Sequence, residues 1–423
     1  MKILMLTPDS QMIDRRILQE AKVLVDRGHE VTLLAGFECK EAASYEQDGI
    51  RIHRFVYDWD DERLKPVRNR IGRHPRLYRF VHRVYMGLVR RFLEMTSFER
   101  FIVGRGLEHP ADVVHCHDLP VLRSGVAIAR AFGAPLVFDA HELYHAQEVF
   151  PREVRERLLS DEKQLIREAA AVITVNEFIA AELQRIHRIP MPWVLYNSVD
   201  APADDVVRER RGVLLDKVPG EGPLVLFQGW ISAERNLDTL IRAMAFVPAP
   251  ARLAVIGYGD HLAVLQRIAK ECGVADRVHF LGRIPSEELL AYTVQADLGV
   301  VPYLPVDLNH LYCSPNKFFE FTLSGVPVLA HDLPFFRAMR DRHGVVSCGD
   351  LTTPEAAARS IRAALEPSNL ARLRANCIAA RSRLEWRNDA DRLLQVYAGL
   401  ETVHRGPSDR SAQMVTIRHG EVH

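Results

Sequence analysis

The feature that most constrains the fold is the alternation of short apolar runs with helical patterns along the whole chain. Such alternation is typical of repeated βαβ units, which build a parallel sheet. One series of strands is predicted to begin near residues 2, 30, 50, 112, 135, 171 and 193. A second series begins near residues 223, 252, 277, 297, 326 and 344. We therefore predict an α/β protein of two doubly wound domains that face each other across a cleft.

The chain of 423 residues is long for a single core and suits two domains. A polar stretch with Pro and Gly, 201–222, is predicted to be a linker between domains 1–200 and 223–385. The last helical pattern, 386–403, is expected to cross back onto the first domain. Beyond it, 404–423 is polar and aperiodic, and we expect a flexible tail.

Composition narrows the function classes. The 55 basic and 55 acidic residues balance, which gives no reason to expect nucleic acid as a partner. The six cysteines form no C-x-x-C pair, which favours reduced thiols over a disulfide or zinc framework. No apolar run approaches the roughly 18 residues of a membrane span, and the chain opens on a strand instead of a signal peptide. We expect a cytoplasmic protein.

The segment from Ser314 to Glu320 is predicted to begin a helix that holds an anion. Ser314 suits the N-cap and Pro315 the first helical position. Unpaired backbone N–H groups and the positive end of the helix dipole would then lie beside Lys317. Helical spacing places Asn316, Lys317 and Glu320 near one edge of that terminus. A cation for phosphate and a carboxylate for sugar hydroxyls indicate a nucleotide site, and the alternative is a capped surface helix with an ion pair.

Other turns carry similar chemistry. Gly229 permits a ligand to approach the backbone closely, Arg235 follows at a helix entrance where it can clamp a diphosphate, and Gly257 ends the next strand. Near the start of the chain, Arg15 and Arg16 are predicted to meet a phosphate of the donor or acceptor, the alternative being that they are solvated. The turn before them lacks G-x-G-x-x-G spacing, which disfavours an NAD enzyme. Each glycine alone is also ordinary turn chemistry.

Two histidines are predicted at the carboxyl ends of first-domain strands. His117 precedes Asp118, and His141 precedes Glu142. Two such histidines, each beside an acid, indicate a reaction site, and the alternative is a pair of structural histidines. A metal site is not expected, because neighbouring strand residues face opposite ways and no ligand pair stands at a useful spacing.

One segment, 63–91, is locally basic, with ten Lys or Arg and no Asp or Glu. After Pro75 its apolar and arginine residues fall on different helical faces. Such a helix can lie on an anionic membrane surface or grip an acidic acceptor. The alternative is an amphipathic helix that packs its apolar face on the domain core.

Taken together, these blocks resemble the retaining glycosyltransferases of family 4, which have the GT-B architecture of two facing Rossmann-like domains. The resemblance covers nearly the whole chain, and the order of the later blocks is fairly specific. The matching blocks are residues 28–32, 114–118, 138–142, 173–177, 228–229, 278–282 and 315–330, followed by Trp386 at the start of the last helix.

By this resemblance, the second domain binds a nucleotide-activated sugar and the first domain binds the acceptor. Glu320 matches the second acid of the family's Glu-x7-Glu motif and is implied to hold the donor ribose, while Arg235 and Lys317 would contact the diphosphate. The implied catalytic residues are His117 and His141; the donor-binding residues are Gly229, Arg235, Gly257, Arg283, Ile284, Asn309, Ser314, Asn316, Lys317 and Glu320; and the acceptor-binding residues are Arg15 and Arg16.

Two positions depart from the family pattern. Tyr312 stands where the family usually has the first acid of the motif, eight residues before the second. Trp230 follows Gly229 where many members have Arg, so Arg235 and Lys317 are expected to carry more of the phosphate charge. Because Tyr312 replaces the first acid of the motif, contacts to the transferred sugar are expected from Asn309, Ser314 or Asn316.

The implied reaction is transfer of a hexosyl-type group from a sugar nucleotide to a sugar or lipid-linked acceptor hydroxyl, with retention of the anomeric configuration. Since Arg, Lys and a helix terminus can stabilise the leaving diphosphate, no metal or other cofactor is expected. Polysaccharide, glycolipid or cell-envelope assembly, at the inner face of the cell membrane, is the implied setting. The rivals are an epimerase or hydrolase of the same architecture and a regulatory protein that binds sugar nucleotides without turnover.

Overall fold

The computed structural model describes residues 1–9, 12–57, 65–71, 74, 76–78, 80–81, 83–85, 95–203 and 212–404. The predicted tail beyond residue 404 lies outside the described residues, as do residues 204–211 of the predicted linker and parts of the basic segment 63–91. No helix in the described ranges is long and apolar enough to cross a membrane.

The first domain is built on an eight-stranded sheet in the order β3-β4-β2-β1-β5-β6-β7-β8. Every neighbouring pair is parallel except β3 with β4. Apart from Lys2, the central strands β1, β5 and β6 are buried along their whole length, as is typical of parallel strands covered by helices on both faces. The strands are β1 (Lys2–Thr7), β2 (Glu30–Ala35), β3 (Ala43–Gln47), β4 (Ile50–Arg54), β5 (Val113–His117), β6 (Leu136–Ala140), β7 (Ala171–Thr174) and β8 (Trp193–Val194).

Helices of the first domain follow its strands and have sequence-encoded ends. Asn176, for example, caps the helix Glu177–His187 because its side chain accepts from the backbone N–H groups of Phe178 and Ile179. The helices are α1 (Arg15–Asp26), α2 (Lys65–Ile71), α3 (Ser97–Leu107), α4 (Leu119–Phe132), α5 (Arg152–Leu165) and α6 (Glu177–His187), with single 3-10 turns at Tyr144–Ala146 and Ile166–Glu168.

The second domain has a six-stranded parallel sheet in the order β11-β10-β9-β12-β13-β14. Its strands are β9 (Leu224–Gln228), β10 (Arg252–Ile256), β11 (Val278–Gly282), β12 (Leu298–Val301), β13 (Val328–His331) and β14 (Val346–Gly349). Its helices are α7 (Val213–Lys217), α8 (Leu237–Ala243), α9 (Leu262–Glu271), α10 (Ser286–Thr293), α11 (Leu308–Leu311), α12 (Asn316–Leu323), α13 (Pro334–His343), α14 (Pro354–Leu365) and α15 (Pro367–Leu384), with 3-10 turns at Ala233–Arg235 and Met244–Phe246.

The segments before and after the second-domain sheet pack on different cores. Helix α7 lies inside the predicted linker, and its Leu214, together with the following Val218, is buried in the second-domain core. The last helix, α16 (Trp386–His404), instead buries Leu393 and Tyr397 against the first-domain core. Part of the first-domain core is therefore covered by α16, which follows the second domain in sequence.

The strand orders locate the ligand site. In the first sheet the order reverses between β1 and β5, and in the second it reverses between β9 and β12. Ligands of open α/β sheets bind at such switch points, outside the carboxyl ends of the strands. Loops from both switch points line one cavity between the domains.

Candidate active site

The interdomain cavity has a volume of about 1050 Å³. Its walls contain residues from the ends of first-domain strands and from the β9, β12 and α12 region of the second domain. The predicted residues that line it are His141, Gly229, Arg235, Asn309, Ser314, Asn316, Lys317 and Glu320. The predicted residues outside its lining are Arg15, Arg16, His117, Gly257, Arg283 and Ile284.

Helix α12 begins one residue later than the sequence predicts. Pro315 occupies the N-cap position, and Ser314 does not cap the helix, because its Oγ has no hydrogen-bond partner. Ser314 is only 5% exposed and lies on the cavity wall. A buried hydroxyl without a partner on a cavity wall is available to a bound ligand.

Lys317 and Arg235 form a cationic wall around Tyr303. The Lys317 ammonium donates to the Tyr303 hydroxyl and lies 4.8 Å from the centre of the Tyr303 ring. The Arg235 guanidinium lies 4.4 Å from the centre of the same ring. Sequence reasoning missed Tyr303, although its position just past β12, at the carboxyl edge of the sheet, was a signal for it.

Gly229 makes room for this arrangement. A Cβ at that position would lie 2.9 Å from Lys317 Nζ, and the backbone has φ +126°. Both facts favour glycine, because other residues rarely adopt that backbone conformation and would crowd the ammonium group.

Glu320 is held by two donors. Arg15 Nη2 lies 2.7 Å from Glu320 Oε1, and Gln228 Nε2 donates to Oε2. The amide of Gln228 is oriented by Thr293, whose hydroxyl donates to Gln228 Oε1 at 2.9 Å. The Glu320 side chain is 8% exposed. Arg15, predicted to bind the acceptor, therefore bridges the two domains in this structure, and Gln228 is a site residue that the sequence did not single out.

Arg16 lies inside the first domain. Its Nε lies 3.0 Å from Asp139 Oδ2 and its Nη2 lies 3.1 Å from Asp139 Oδ1, while Nη1 donates to the Leu195 carbonyl at 2.7 Å. Its guanidinium is buried, so it faces protein groups and not the cavity. Arg16 therefore fixes the position of the Asp139 carboxylate through two hydrogen bonds.

The two predicted histidines are adjacent but differ in access. His141 lines the cavity, while His117 is fully buried behind it, with 3.3 Å between His117 Nδ1 and His141 Nε2. Asp118 accepts from the backbone N–H of His141 at 3.1 Å, and its other oxygen lies 3.6 Å from His141 Nδ1. Asp139 Oδ2 lies 3.2 Å from His141 Nε2. His141 is thus oriented from both sides by carboxylates.

These carboxylates set the charge of His141. Burial alone would lower its pKa, but Asp118 and Asp139 outweigh that effect and raise the pKa to about 10. Burial lowers the pKa of His117 to about 4, although Asp139 opposes it, and burial raises the pKa of Asp118 to about 7, although His141 opposes it. At neutral pH His141 is therefore a cation at the cavity wall, and His117 is neutral.

The backbone at Asp118 is strained. Its φ is +65° and its ψ is 161°, a conformation that residues other than glycine rarely adopt. Such a conformation costs about 1–3 kcal/mol and persists where surrounding structure enforces it, commonly at functional sites. Here it places the carboxylate against the backbone N–H and ring of His141.

Helix α11 and the loop that joins it to α12 contact the first domain. Asn309 Nδ2 donates to Glu142 Oε2 at 3.0 Å, and its Oδ1 accepts from the Leu143 N–H at 3.1 Å. Tyr312 stacks on Phe178, with ring centres 6.1 Å apart and planes at 10°. Asn309 therefore combines a place on the cavity wall with an interdomain contact, while Tyr312 faces the first-domain core in place of the motif's first acid.

Three of the predicted donor-binding residues, Arg283, Ile284 and Gly257, lie outside the cavity lining. The Arg283 guanidinium lies 5.2 Å from the centre of the Tyr258 ring, and its Nη2 lies 3.6 Å from Met12 Sδ. Ile284 packs against the second-domain core. At Gly257 an added Cβ would lie 1.9 Å from the Gly229 carbonyl oxygen, so its glycine permits close approach of two backbone segments.

Family models match both halves of the chain: a glycosyl transferase 4-like domain over residues 13–197 and a glycosyl transferases group 1 domain over residues 222–367. The chain belongs to glycosyltransferase family 4. This glycosyltransferase is 30% identical over 317 residues to a D-inositol 3-phosphate glycosyltransferase of Xylanimonas cellulosilytica, and the alignment covers 68% of this chain and 72% of that relative. It is 27% identical over 244 residues to a 2-deoxystreptamine glucosyltransferase of Streptomyces kanamyceticus, and that alignment covers 52% of this chain and 60% of the relative.

Solved structures confirm the predicted GT-B fold. A sucrose-phosphate synthase from Thermosynechococcus elongatus superposes with a TM-score of 0.70 at 19% identity, covering 95% of this chain and 99% of that one. Anabaena HepE in complex with UDP and glucose superposes with a TM-score of 0.69 at 15% identity, covering 94% of this chain and 100% of that one. Both alignments include both domains, so the predicted arrangement of two facing domains is confirmed.

Proposed function

We propose that this glycosyltransferase takes a nucleoside diphosphate sugar into the interdomain cavity and transfers the glycosyl group, with retention of configuration, to an acceptor hydroxyl on the first-domain side. The observation that carries this proposal is the pair of cations, Lys317 and Arg235, around Tyr303, with the Glu320 carboxylate on the same wall. A diphosphate suits the cations, and ribose hydroxyls suit the carboxylate. That UDP occupies the HepE complex supports the same choice of donor.

The same residues would assist bond cleavage. As the glycosidic bond breaks, negative charge develops on the leaving diphosphate, and preorganised cations stabilise it in the transition state. Lys317, Arg235 and the N-terminus of α12 would supply that stabilisation. His141, cationic on the opposite wall, would meet the sugar end of the donor. Ribose binding would require Arg15 to give up its hold on Glu320.

The proposal is tested by turnover across a panel of sugar nucleotides, after a thermal-shift screen to find the donor. A ligand at 100 times its Kd stabilises the folded state by about 2.7 kcal/mol, which is readily measured. We expect release of nucleoside diphosphate in step with a glycosylated acceptor whose anomeric configuration, read by NMR, matches the donor. Donor hydrolysis or isomerisation at the same rate without acceptor would identify the rival enzyme classes, and donor binding without turnover would identify a regulatory protein.

We also propose that the transfer requires no divalent metal, because side-chain cations already face the donor site. The initial rate, measured immediately on mixing so that EDTA does not extract a buried ion, should be the same with EDTA in the assay as with added magnesium or manganese chloride. A rate that is lost in EDTA and restored by manganese would contradict this part of the proposal.

A peripheral membrane role is favoured by the described part of segment 63–91. Leu77, Phe80 and Val84 are 47%, 63% and 45% exposed, while basic residues surround them in sequence. An exposed apolar stripe among arginines suits an anionic lipid surface and, with it, a lipid-linked acceptor in glycolipid, polysaccharide or cell-envelope assembly.

Flotation with vesicles of phosphatidylcholine, with and without phosphatidylglycerol, tests this role. Binding should require the anionic lipid and should be lost in the Phe80→Ser variant. The control variant Val149→Ser, which changes an exposed apolar residue of the cavity lining, should still bind. Equal recovery of the wild type with neutral and anionic vesicles would remove the membrane role without affecting the donor site.

A further inference from the structure

Three buried polar side chains converge in the first domain, apart from the cavity lining. His145 comes from the 3-10 turn Tyr144–Ala146, Glu162 from α5, and His187 is the last residue of α6. Their side chains are 8%, 1% and 0% exposed. One potential ligand atom from each lies within 4.8 Å of the other two.

The hydrogen bonds of this triad are incomplete. Glu162 Oε2 accepts from His145 Nδ1 at 2.7 Å and lies 3.3 Å from His187 Nε2. The first contact is a hydrogen bond and the second is a longer ionic contact, and Glu162 Oε1 is buried without a partner. Because buried polar atoms are nearly always paired, Glu162 Oε1 and the His187 ring, which has only the 3.3 Å contact to Glu162, are available to a ligand.

The donor set identifies the ligand. Two imidazoles and one carboxylate are the three protein ligands of zinc sites that keep a fourth position open, with Zn–N of about 2.0–2.1 Å and Zn–O of about 2.0–2.2 Å, so adjacent ligand atoms of a tetrahedral ion lie roughly 3.3 Å apart. The distance between His187 Nε2 and Glu162 Oε2 matches that spacing. Coordination would replace the shorter hydrogen bond from His145. We propose that His145, Glu162 and His187 bind a zinc ion as its three protein ligands.

A second buried cluster shows why the choice is specific. Glu20, His115, His117 and Asp139 also lie close enough to hold a metal, but the Arg16 guanidinium lies 3.0 Å from both Glu20 and Asp139. A fixed cation inside the cluster opposes a divalent ion by charge repulsion. Glu162 instead pairs with two histidines.

The zinc ion would fasten the loop that follows His141 to α5 and α6. His145 lies in that loop between Glu142 and Gln147, both of which line the cavity. The ion would therefore support the cavity wall without touching the donor. Spacing along the chain cannot show this site, because its three ligands come from separate elements.

The test measures metal in the full-length protein, produced without a polyhistidine tag and purified without added metal or chelator. We expect about one zinc per chain by mass spectrometry in the wild type. Glu162→Gln and His187→Ala should retain less than about a tenth of that, since each removes a ligand. Glu20→Gln, at the matched buried glutamate of the other cluster, should keep the full zinc content.

A second measurement follows stability. Removal of zinc by dipicolinic acid should lower the Tm of the wild type by more than about 5 °C, and zinc sulfate should restore it, whereas Glu162→Gln should respond to neither. A folded wild type that contains no zinc as purified and gains no Tm with added zinc would overturn the proposal, even if the variants fail to fold. So would a Glu162→Gln protein with wild-type zinc content, because the ion would then lie elsewhere.

Discussion

At the scale of single residues, the donor wall depends on a lysine in unusual surroundings. Lys317 is 8% exposed, and its ammonium contacts the Tyr303 hydroxyl and lies 5.1 Å from the centre of the Phe227 ring. A buried cation is stabilised less by contact with aromatic rings than by a charge-assisted hydrogen bond to an anion. The site is therefore arranged to gain from the arrival of a diphosphate.

Lys317→Ala should weaken binding of the nucleoside diphosphate about 10- to 100-fold, because a hydrogen bond to a charged group contributes about 1.5–3 kcal/mol. Lys270→Ala, at an exposed lysine of α9 in the same domain, is the matched control and should bind as the wild type does. Isothermal titration calorimetry measures both. Equal Kd values for wild type and Lys317→Ala would show that the diphosphate binds elsewhere.

His141 predicts a specific pH dependence of stability. Its pKa rises from an ordinary value of 6.5 to about 10, because Asp118 and Asp139 outweigh the effect of burial. The protonated side chain therefore stabilises the folded state fully below about pH 6.5, and this contribution is lost as pH rises toward about 10. Urea unfolding at a series of pH values should show a decline over that window that is smaller in His141→Gln than in the wild type.

The matched control is His109→Gln. Burial lowers the pKa of His109 below its ordinary value of 6.5, so that side chain is neutral in the folded and unfolded states from about pH 7.5 upward. Its removal should leave the slope between about pH 7.5 and 10 unchanged. A His141→Gln protein with the wild-type slope would mean that His141 is not the titrating group.

At the scale of elements, the loop between α11 and α12 serves the domain interface. Tyr312 stacks on Phe178, and its carbonyl accepts from Asn176 Nδ2 at 2.8 Å. Asp307 of the same region accepts from the Glu148 N–H at 3.0 Å. These contacts give the departure from the Glu-x7-Glu motif a physical reason, since this position packs an aromatic ring against the opposite domain.

Introducing the first acid of the Glu-x7-Glu motif at position 312 should therefore lower both activity and stability. Tyr312→Glu places a charge against Phe178 and the first-domain core, and we expect lower kcat/KM and a loss of about 1–3 kcal/mol of stability. Tyr312→Phe keeps the ring and should be close to wild type in both. Turnover and thermal unfolding of the two variants decide the matter, and a gain of activity in Tyr312→Glu would mean that this position reaches the sugar.

Strand ends were predictable from the sequence, and contacts across the cleft were not. The alternation of apolar runs predicted both sheets, and polar residues just past strands predicted the positions of His141 and Arg235 at the cavity, because those signals are local. The start of α12 was predicted one residue too early, with Ser314 in place of Pro315 at the N-cap. Arg15 and Glu320 meet although 305 residues separate them, and nothing local to either indicates the other. Arg16 next to Arg15 looked equivalent in sequence, and only tertiary packing separates the buried residue from the bridging one.

At the scale of the whole molecule, α16 joins the second domain back to the first. Its backbone begins with Trp386 donating to the Val199 carbonyl at 3.0 Å, beside the exit from the first domain. Farther along, the hydroxyl of Tyr397 contacts His115 Nδ1 at 3.0 Å under the first-domain sheet. The histidine network of the site is thus supported from below by the last helix.

Leu393→Ala should destabilise the first domain by about 2–5 kcal/mol, because the side chain is fully buried against that core. Ile378→Ala on α15 is the control, since that residue is 49% exposed and should change stability by less than about 1 kcal/mol. Urea unfolding followed by circular dichroism compares the two. Similar losses in both variants would mean that α16 contributes little to the first domain.

The position of α16 also has a consequence during synthesis. A ribosome makes about 5–20 residues each second, so the first domain would wait roughly 10 to 40 s after its last strand emerges before Leu393 and Tyr397 can cover its sheet. During that interval an apolar face of the nascent chain remains open to water. We therefore expect the growing polypeptide to depend on chaperones that hold newly made chains, and expression at low temperature, which lengthens the interval, to raise that dependence.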